Sequence, residues 1–147
     1  MTTLYSDIYN LFSSGFIKDP MLDKLYNQSV TDYEDYLQTF LITAISEFDL
    51  CKQDLEDRDD TTKQFNPTLS TKEKVILSKL TRIAWLQKEI NDVNQMKLHL
   101  QDGDFKTFSE ANNLKEKVNL LVVETELVDK AIGKYDLKNY LDSVENE

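Results

Sequence analysis

The chain has few of the residues that interrupt secondary structure: its 147 residues include three glycines and two prolines. β-Sandwiches and β-barrels need a turn about every 8 to 12 residues, and Rossmann-type units need glycine in their βα turns. The scarcity of glycine and proline therefore excludes these architectures. It predicts a mostly helical protein whose helix ends are few and far apart.

Cysteine, histidine and long apolar runs are scarce as well. Because Cys51 is the single cysteine and His99 the single histidine, a disulfide framework and a Cys/His zinc site are both excluded. The sequence has no run of about 18 uncharged apolar residues, which a membrane-spanning helix needs, and its N-terminus lacks the pattern of a signal peptide. We therefore expect a soluble intracellular protein with no metal, no cofactor and no membrane partner.

Basic residues are outnumbered, since 27 Asp and Glu stand against 17 Lys and Arg and give a formal net charge of −10. Such a surface repels phosphate backbones and anionic lipid, which excludes sequence-specific nucleic-acid binding through a basic patch. The excess lies mainly in residues 1–73, with 14 acidic and 6 basic side chains, against 13 and 11 in residues 74–147.

Helix-capping signals and apolar stripes place the helices. Asp19 followed by Pro20 predicts the start of a short helix, and Thr31 with Glu34 and Ser70 with Glu73 have the capping-box spacing. These two boxes predict the starts of two long helices. The first has the stripe Tyr33, Leu37, Phe40, Leu41, Ala44, Ile45 and Phe48, and the second has Ile76, Leu80, Ile83, Ile90, Val93 and Met96.

A third long helix is predicted to begin near Ser109 or Glu110, after a helix end at Gly103 and a connector at 104–108. Its apolar residues recur at a 4-3 spacing, which is typical of helices that pack lengthwise. They are Leu114, Val118, Leu121, Thr125, Val128, Ile132 and Tyr135. Gly133 interrupts this stripe, which makes it a candidate hinge.

These signals together predict an all-α fold: an antiparallel bundle of three long helices with an N-terminal helical hairpin at 1–30. We expect one domain over residues 1–135, with a long acidic loop at 49–69. Residues 136–147 are predicted to be a C-terminal tail or arm. Gly15 is predicted to end the first short helix.

The acidic loop is the first candidate site. An EF-hand calcium loop would need a central glycine and a final glutamate, and the segment has neither. We therefore expect a solvated loop that contacts a partner protein. The candidate interface residues are Asp54, Glu56, Asp57, Asp59 and Asp60 in the loop, with Tyr135, Tyr140 and Leu141 near the C-terminus.

The sequence offers no set of catalytic residues, and we expect no enzyme activity. Di-iron bundles need inward-facing Glu-x-x-His pairs, and Met96 occupies the position of that Glu three residues before His99. Helical nucleotide hydrolases hold magnesium with carboxylates from two helices, and their spacing differs from the carboxylates present here. The nearest approach is Glu89 and Asp92 with Glu124, Glu126 and Asp129.

The stretch 65–115 contains the runs L-S-x-x-E-x-x-I-L at 69–77, W-L at 85–86 and D-F-K-x-F-S-x-A-x-x-L-K at 104–115. This pattern resembles the small helical neck proteins of tailed bacteriophages, the head–tail connectors that lie beneath the portal ring. The resemblance covers about a third of the chain. It implies a structural virion protein, made in the host cytoplasm, that assembles as a ring on the portal, contacts other neck and tail proteins and lines the DNA conduit.

Two other functions remain open on the sequence. One is a small acidic regulatory or scaffolding protein that binds a host protein through the 49–60 segment. The other is a helical nucleotide pyrophosphohydrolase. Acidic walls suit a DNA conduit because attraction would retain the passing duplex, so the net charge is compatible with the connector hypothesis.

Overall fold

The structure is a computed structural model that describes residues 1–14, 19–99 and 110–145. Within these residues the fold is mostly helical, as predicted, with five helices and one small sheet of three strands. The helices are α1 (Tyr5–Ser13), α2 (Pro20–Gln28), α3 (Val30–Glu47), α4 (Thr71–His99) and α5 (Glu110–Glu145). The strands are β1 (Thr3–Leu4), β2 (Arg58–Asp59) and β3 (Gln64–Phe65).

Two of the three predicted helix caps are confirmed. The Asp19 side chain accepts a hydrogen bond from Leu22 N at 3.0 Å and starts α2. Ser70 and Glu73 satisfy each other's backbone N–H groups at 2.7 and 3.1 Å and start α4. The prediction for α3 was wrong in position, because Ser29 caps it by accepting from Asp32 N at 3.2 Å.

Helix α4 is the element on which the others pack. Helices α1, α3 and α5 all contact it extensively, and α2 packs on α3. Residues 1–30, predicted to form a helical hairpin, therefore contain two short helices. Within the described residues, α1 packs mainly on α4 and α2 packs mainly on α3. The predicted α3 stripe is buried throughout, with Leu37, Leu41 and Ala44 fully inaccessible.

Helices α4 and α5 run antiparallel, which three side-chain pairs along them demonstrate. Lys117 lies 3.1 Å from Glu89, Arg82 lies 3.4 Å from Glu124, and Tyr135 donates to Glu73 at 2.5 Å. Tyr135 of α5 thus lies beside Glu73, only two residues after α4 begins at Thr71. The part of α5 that follows Tyr135 therefore extends beyond the start of α4.

The all-α prediction was wrong for the segment 49–69, which contains a β-hairpin. Strand β3 pairs antiparallel with both β1 and β2 and is the central strand. The segment is anchored in the core because Leu55, Phe65 and Leu69 are buried, with the Phe65 ring 4.9 Å from that of Tyr5. Two-residue strands are too short to give an alternating apolar pattern, so the sequence does not reveal them.

Several predicted boundaries can be compared with the helices. Helix α5 begins at Glu110 and continues through Gly133 to Glu145, so the predicted interruption at Gly133 is not seen. Of the predicted C-terminal tail or arm, residues 136–145 are the last turns of that helix. The predicted helix ends at Gly15 and Gly103 and the connector at 104–108 lie outside the described residues.

Candidate functional site

The acidic side chains of the first candidate site are held by contacts within the chain. Asp57 Oδ1 accepts from Asn66 Nδ2 at 2.8 Å, and Asp54 Oδ1 accepts from Glu56 N at 3.0 Å. Arg58 lies between Glu56 at 2.8 Å and Asp60 at 3.1 Å. The predicted solvated loop is therefore an ordered hairpin whose carboxylates are exposed but fixed in position.

Asp59 sets the turn of this hairpin. Its Oδ1 accepts from the backbone N–H groups of Thr61 at 2.8 Å and Thr62 at 3.1 Å. These hydrogen bonds, with Thr62 first, hold the pKa of Asp59 below its usual range because they stabilise the ionised carboxylate. Lys63 then takes a positive φ of 60°, which reverses the chain into β3.

Asp60 joins the hairpin to the N-terminal helix. Tyr5 donates its hydroxyl proton to Asp60 Oδ1 at 2.5 Å, and Gln38 Nε2 donates to Asp60 O at 3.1 Å. Burial and this carboxylate raise the pKa of Tyr5 well above its ordinary value, so the phenol stays protonated. Asp60 thus has a structural role within the chain, although it was predicted from the sequence only as an interface residue.

Tyr135, another predicted interface residue, is buried rather than available at the surface of the isolated chain. Its ring lies 5.4 Å from that of Phe48, and its hydroxyl accepts from Lys52 N at 2.8 Å while donating to Glu73. Glu73 Oε2 also accepts from the Cys51 thiol at 3.6 Å. This cluster ties the end of α3, the start of α4 and the middle of α5 together.

The pKa values of Cys51 and Tyr135 are shifted in the direction that keeps these two side chains neutral. Burial raises the pKa of the Cys51 thiol to about 11, and burial together with the Glu73 hydrogen bond raises the pKa of Tyr135 to about 12. A thiol with this pKa is a poor nucleophile at neutral pH.

A pocket of about 350 Å³ opens beside this cluster. It is lined by residues between Ile45 and Glu56, among them the carboxylates Asp49, Asp54 and Glu56 and the cation Lys52. Since Lys52 N bonds to the Tyr135 hydroxyl, the pocket lies next to the point where α5 leaves α4.

Beyond that point lies the C-terminal arm, which we define as residues 136–145. All of its side chains are exposed except the half-buried Asn139. At 1.5 Å per residue the arm extends α5 by about 15 Å. It includes Tyr140 and Leu141, which are 64% and 49% exposed, so the structure places these two predicted interface residues on the surface.

Large apolar side chains recur along the arm at helical spacing. Leu137 and Val144 are 57% and 48% exposed, and with Tyr140 and Leu141 they occupy positions i, i+3, i+4 and i+7. Residues at this spacing share one face of a helix. Nearer the N-terminus of α5, Val118, Val122, Val123 and Leu127 are also exposed.

A buried charged junction that was not predicted from the sequence lies on the opposite face of α5. Arg82 of α4 is buried and donates to the carbonyl oxygens at the end of α1 as well as contacting Glu124. A signal existed, because Arg82 shares its helix face with Trp85 and Leu86, and an arginine among large apolar residues indicates a buried ion pair.

Glu89 and Glu124, two of the five carboxylates with the nearest approach to magnesium-binding spacing, lie next to cations. Glu89 lies 3.1 Å from Lys117, whose ammonium also lies 3.7 Å from Asp19, and Glu124 lies beside Arg82. Within the described residues no group of three His, Cys, Asp or Glu side chains is arranged to hold a metal ion. In the same part of the chain, no helix has the length and apolar character needed to cross a membrane.

Comparisons with protein-family models, with curated proteins and with solved structures gave no match to this chain.

Proposed function

We propose that this chain is a structural subunit of a protein assembly, specifically a head–tail connector of a tailed bacteriophage. In this proposal the three long helices form an antiparallel bundle, the chains join in a ring on the portal, and the C-terminal arm reaches a partner protein. The resemblance over residues 65–115 supports the connector, and the exposed face of the arm supports the assembly role.

The observation that carries the proposal is the apolar stripe of the arm, formed by Leu137, Tyr140, Leu141 and Val144. An exposed stripe on a helix that has left its own core is typical of a surface that another protein covers.

Negative-stain imaging of the purified chain mixed with portal rings tests the proposal. Decorated rings are the expected result, and the Tyr140→Ser/Leu141→Ser variant should leave the rings bare. Met21→Ser is the matched control, because Met21 is an exposed apolar residue on α2, far along the chain from the arm. A chain that stays monomeric and never binds portal rings would count against the connector.

One observation favours a second candidate, the acidic regulatory protein that binds a host protein. The hairpin carboxylates are fixed by Arg58 and by backbone N–H groups yet remain exposed, so they would lose little conformational freedom on docking. A pull-down from host lysate tests it. One stoichiometric partner, lost in Glu56→Gln/Asp57→Asn and kept in Tyr140→Ser, would favour this function over the connector.

A further inference from the structure

A groove lies along one side of α4, between α3 and α5. Both of these helices pack on α4, but in the described part of the chain they have no extensive contact with each other. They come together at one end, where the rings of Phe48 and Tyr135 lie 5.4 Å apart. Next to that contact a pocket of about 230 Å³ opens between the three helices.

The floor of this groove is apolar. It is formed by Leu80, Ile83 and Ala84 of α4 and by Val128 of α5. The three α4 residues are at positions i, i+3 and i+4, so they share one face of that helix. Leu80 and Val128 are buried, whereas Ile83 and Ala84 are only half-buried. The groove therefore leaves apolar surface of α4 uncovered by any other described residue.

Two carboxylates line the groove, one on each of the helices that flank α4. They are Glu47 of α3 and Asp129 of α5, and both are exposed. The other described side chains that line the groove are uncharged, so it has a local charge of −2 from these two residues. A cation that entered the groove would meet a carboxylate on either side and no described lysine or arginine in its lining.

We propose that this groove binds a small aliphatic amine. The ammonium group donates to Glu47 and Asp129, and the carbon chain covers the half-buried part of the floor. A metal ion fits less well, because an apolar floor offers it no ligand and no group of three ligating side chains exists within the described residues. A pocket of this volume is smaller than the sites of drug-sized ligands, which agrees with a short-chain molecule.

Three probes that share a hexyl-length carbon chain test the proposal: hexylamine, hexan-1-ol and hexanoate, which are cationic, neutral and anionic at neutral pH. Each would be titrated into the isotopically labelled full chain and followed by methyl NMR. We expect hexylamine to bind with a dissociation constant between about 0.1 and 10 mM. It should shift the methyl signals of Ile83, Ala84 and Val128 but not those of Leu137 and Leu141 on the arm. Hexan-1-ol should bind about fivefold or more weakly, and hexanoate should not bind.

Variants separate the role of the carboxylates from that of the floor. Glu47→Gln/Asp129→Asn should weaken hexylamine binding by about fivefold or more and leave hexan-1-ol binding unchanged. The matched control Glu116→Gln/Glu126→Gln removes the same charge from exposed positions of α5 outside the groove and should have little effect. Ala84→Leu adds a larger side chain to the floor and should weaken binding of both probes. Hexylamine binding should weaken as salt rises from about 0.05 M to about 0.5 M.

Three results would overturn the proposal. Equal binding of hexylamine and hexan-1-ol would reject the role of the carboxylates. Methyl shifts confined to residues outside the groove, or hexylamine binding that is unchanged in both groove variants, would place the amine elsewhere. No shift with hexylamine up to about 100 mM would reject the site altogether. The inference does not depend on the proposed function, so bare portal rings together with hexylamine binding would reject the connector alone.

Discussion

Replacing Arg82 by methionine tests how much the buried junction between α1, α4 and α5 contributes to stability. Arg82 is 8% exposed, and its guanidinium donates to the carbonyl oxygens of Leu11 at 2.8 Å, Phe12 at 2.9 Å and Ser14 at 2.6 Å. It also lies 3.4 Å from Glu124 Oε1. A cation is favoured at this place because the carbonyl groups at the end of α1 carry partial negative charge.

The expected loss of stability arises because the substitution leaves the buried carboxylate of Glu124 without its cation. Removing one partner of a buried ion pair costs about 3–5 kcal/mol because the other charge stays buried without compensation. Glu124 is badly placed to recover, since its Oε2 is buried and has no hydrogen-bond partner within the described residues. Methionine keeps the apolar stem of Arg82, so little packing is lost. We expect Arg82→Met to lower the free energy of unfolding by about 4 kcal/mol.

Urea unfolding, followed by far-ultraviolet circular dichroism, measures this change. The matched control is Lys88→Met, which removes the cation of an exposed i,i+4 pair with Asp92 and should cost about 0.5 kcal/mol or less. Adding Glu124→Gln to Arg82→Met should restore part of the loss. A double-mutant cycle over the two residues should give a coupling energy of about 1–3 kcal/mol.

Two outcomes would refute this reasoning. A loss below about 1 kcal/mol for Arg82→Met would mean that the guanidinium is not the main link between α1 and α4. Additive effects of Arg82→Met and Glu124→Gln would mean that the two charges do not interact in the folded chain.

Four further predictions concern α5 and the cluster at its base. Tyr135→Phe should lower the free energy of unfolding by about 1–3 kcal/mol in urea, because Glu73 and the Lys52 N–H lose a partner, whereas the exposed Tyr140→Phe should not change it. Gly133→Ala should raise the melting temperature and stabilise the fold by about 0.5–1 kcal/mol, since a Cβ there would meet no atom of the described residues within 4 Å; a lower melting temperature would contradict a continuous α5. At pH 8, Cys51 should react with a disulfide reagent about 100-fold more slowly than a free thiol, because burial raises its pKa to about 11, and an equal rate would contradict this. The folded-state pKa values of Cys51 and Tyr135, about 11 and 12, exceed their ordinary 9.0 and 10.0, so the protonated forms favour the folded state. These two groups should therefore give a contribution to the free energy of unfolding that is constant below about pH 9 and is lost by about pH 12. Tyr135→Phe should remove the upper part of that loss.

Much of the helical architecture could be predicted because it depends on local signals. The capping box of Ser70 and Glu73 and the complete stripe of α3 follow from hydrogen bonding and helical spacing within a few residues. The start of α3 was misplaced because Thr31 and Ser29 both fit a cap, and Ser29 is the one with extended backbone at φ −162°. Serine and threonine cap helices in the same way, so the local sequence does not decide which of these two residues is the cap.

The rest depends on contacts between residues far apart in the chain. The hairpin of β2 and β3 exists because β1, more than fifty residues earlier, supplies a third strand and Thr3 bonds to Leu69 N at 2.9 Å. Tyr135 was predicted both as the last residue of the 4-3 stripe and as an interface residue, and its burial agrees with the stripe. Its partners Phe48 and Glu73 lie far away along the chain, so the periodicity of α5 does not identify them. Tyr140 and Leu141 could be placed correctly because they lie beyond the heptad stripe.

The arm alone supplies a limited amount of binding energy, which bears on how an assembly would use it. Full burial of a large apolar side chain is worth about 1.5–3 kcal/mol, and the four on the arm are each about half exposed, so covering them yields about 3–6 kcal/mol. Association costs at least about 4 kcal/mol in lost freedom. One arm and one partner protein would therefore bind weakly. Subunits already joined in a ring would present several arms at once, and the second and later contacts would form at a high effective concentration. An exposed stripe that is too weak to hold a monomer is thus suited to a partner that is itself a ring.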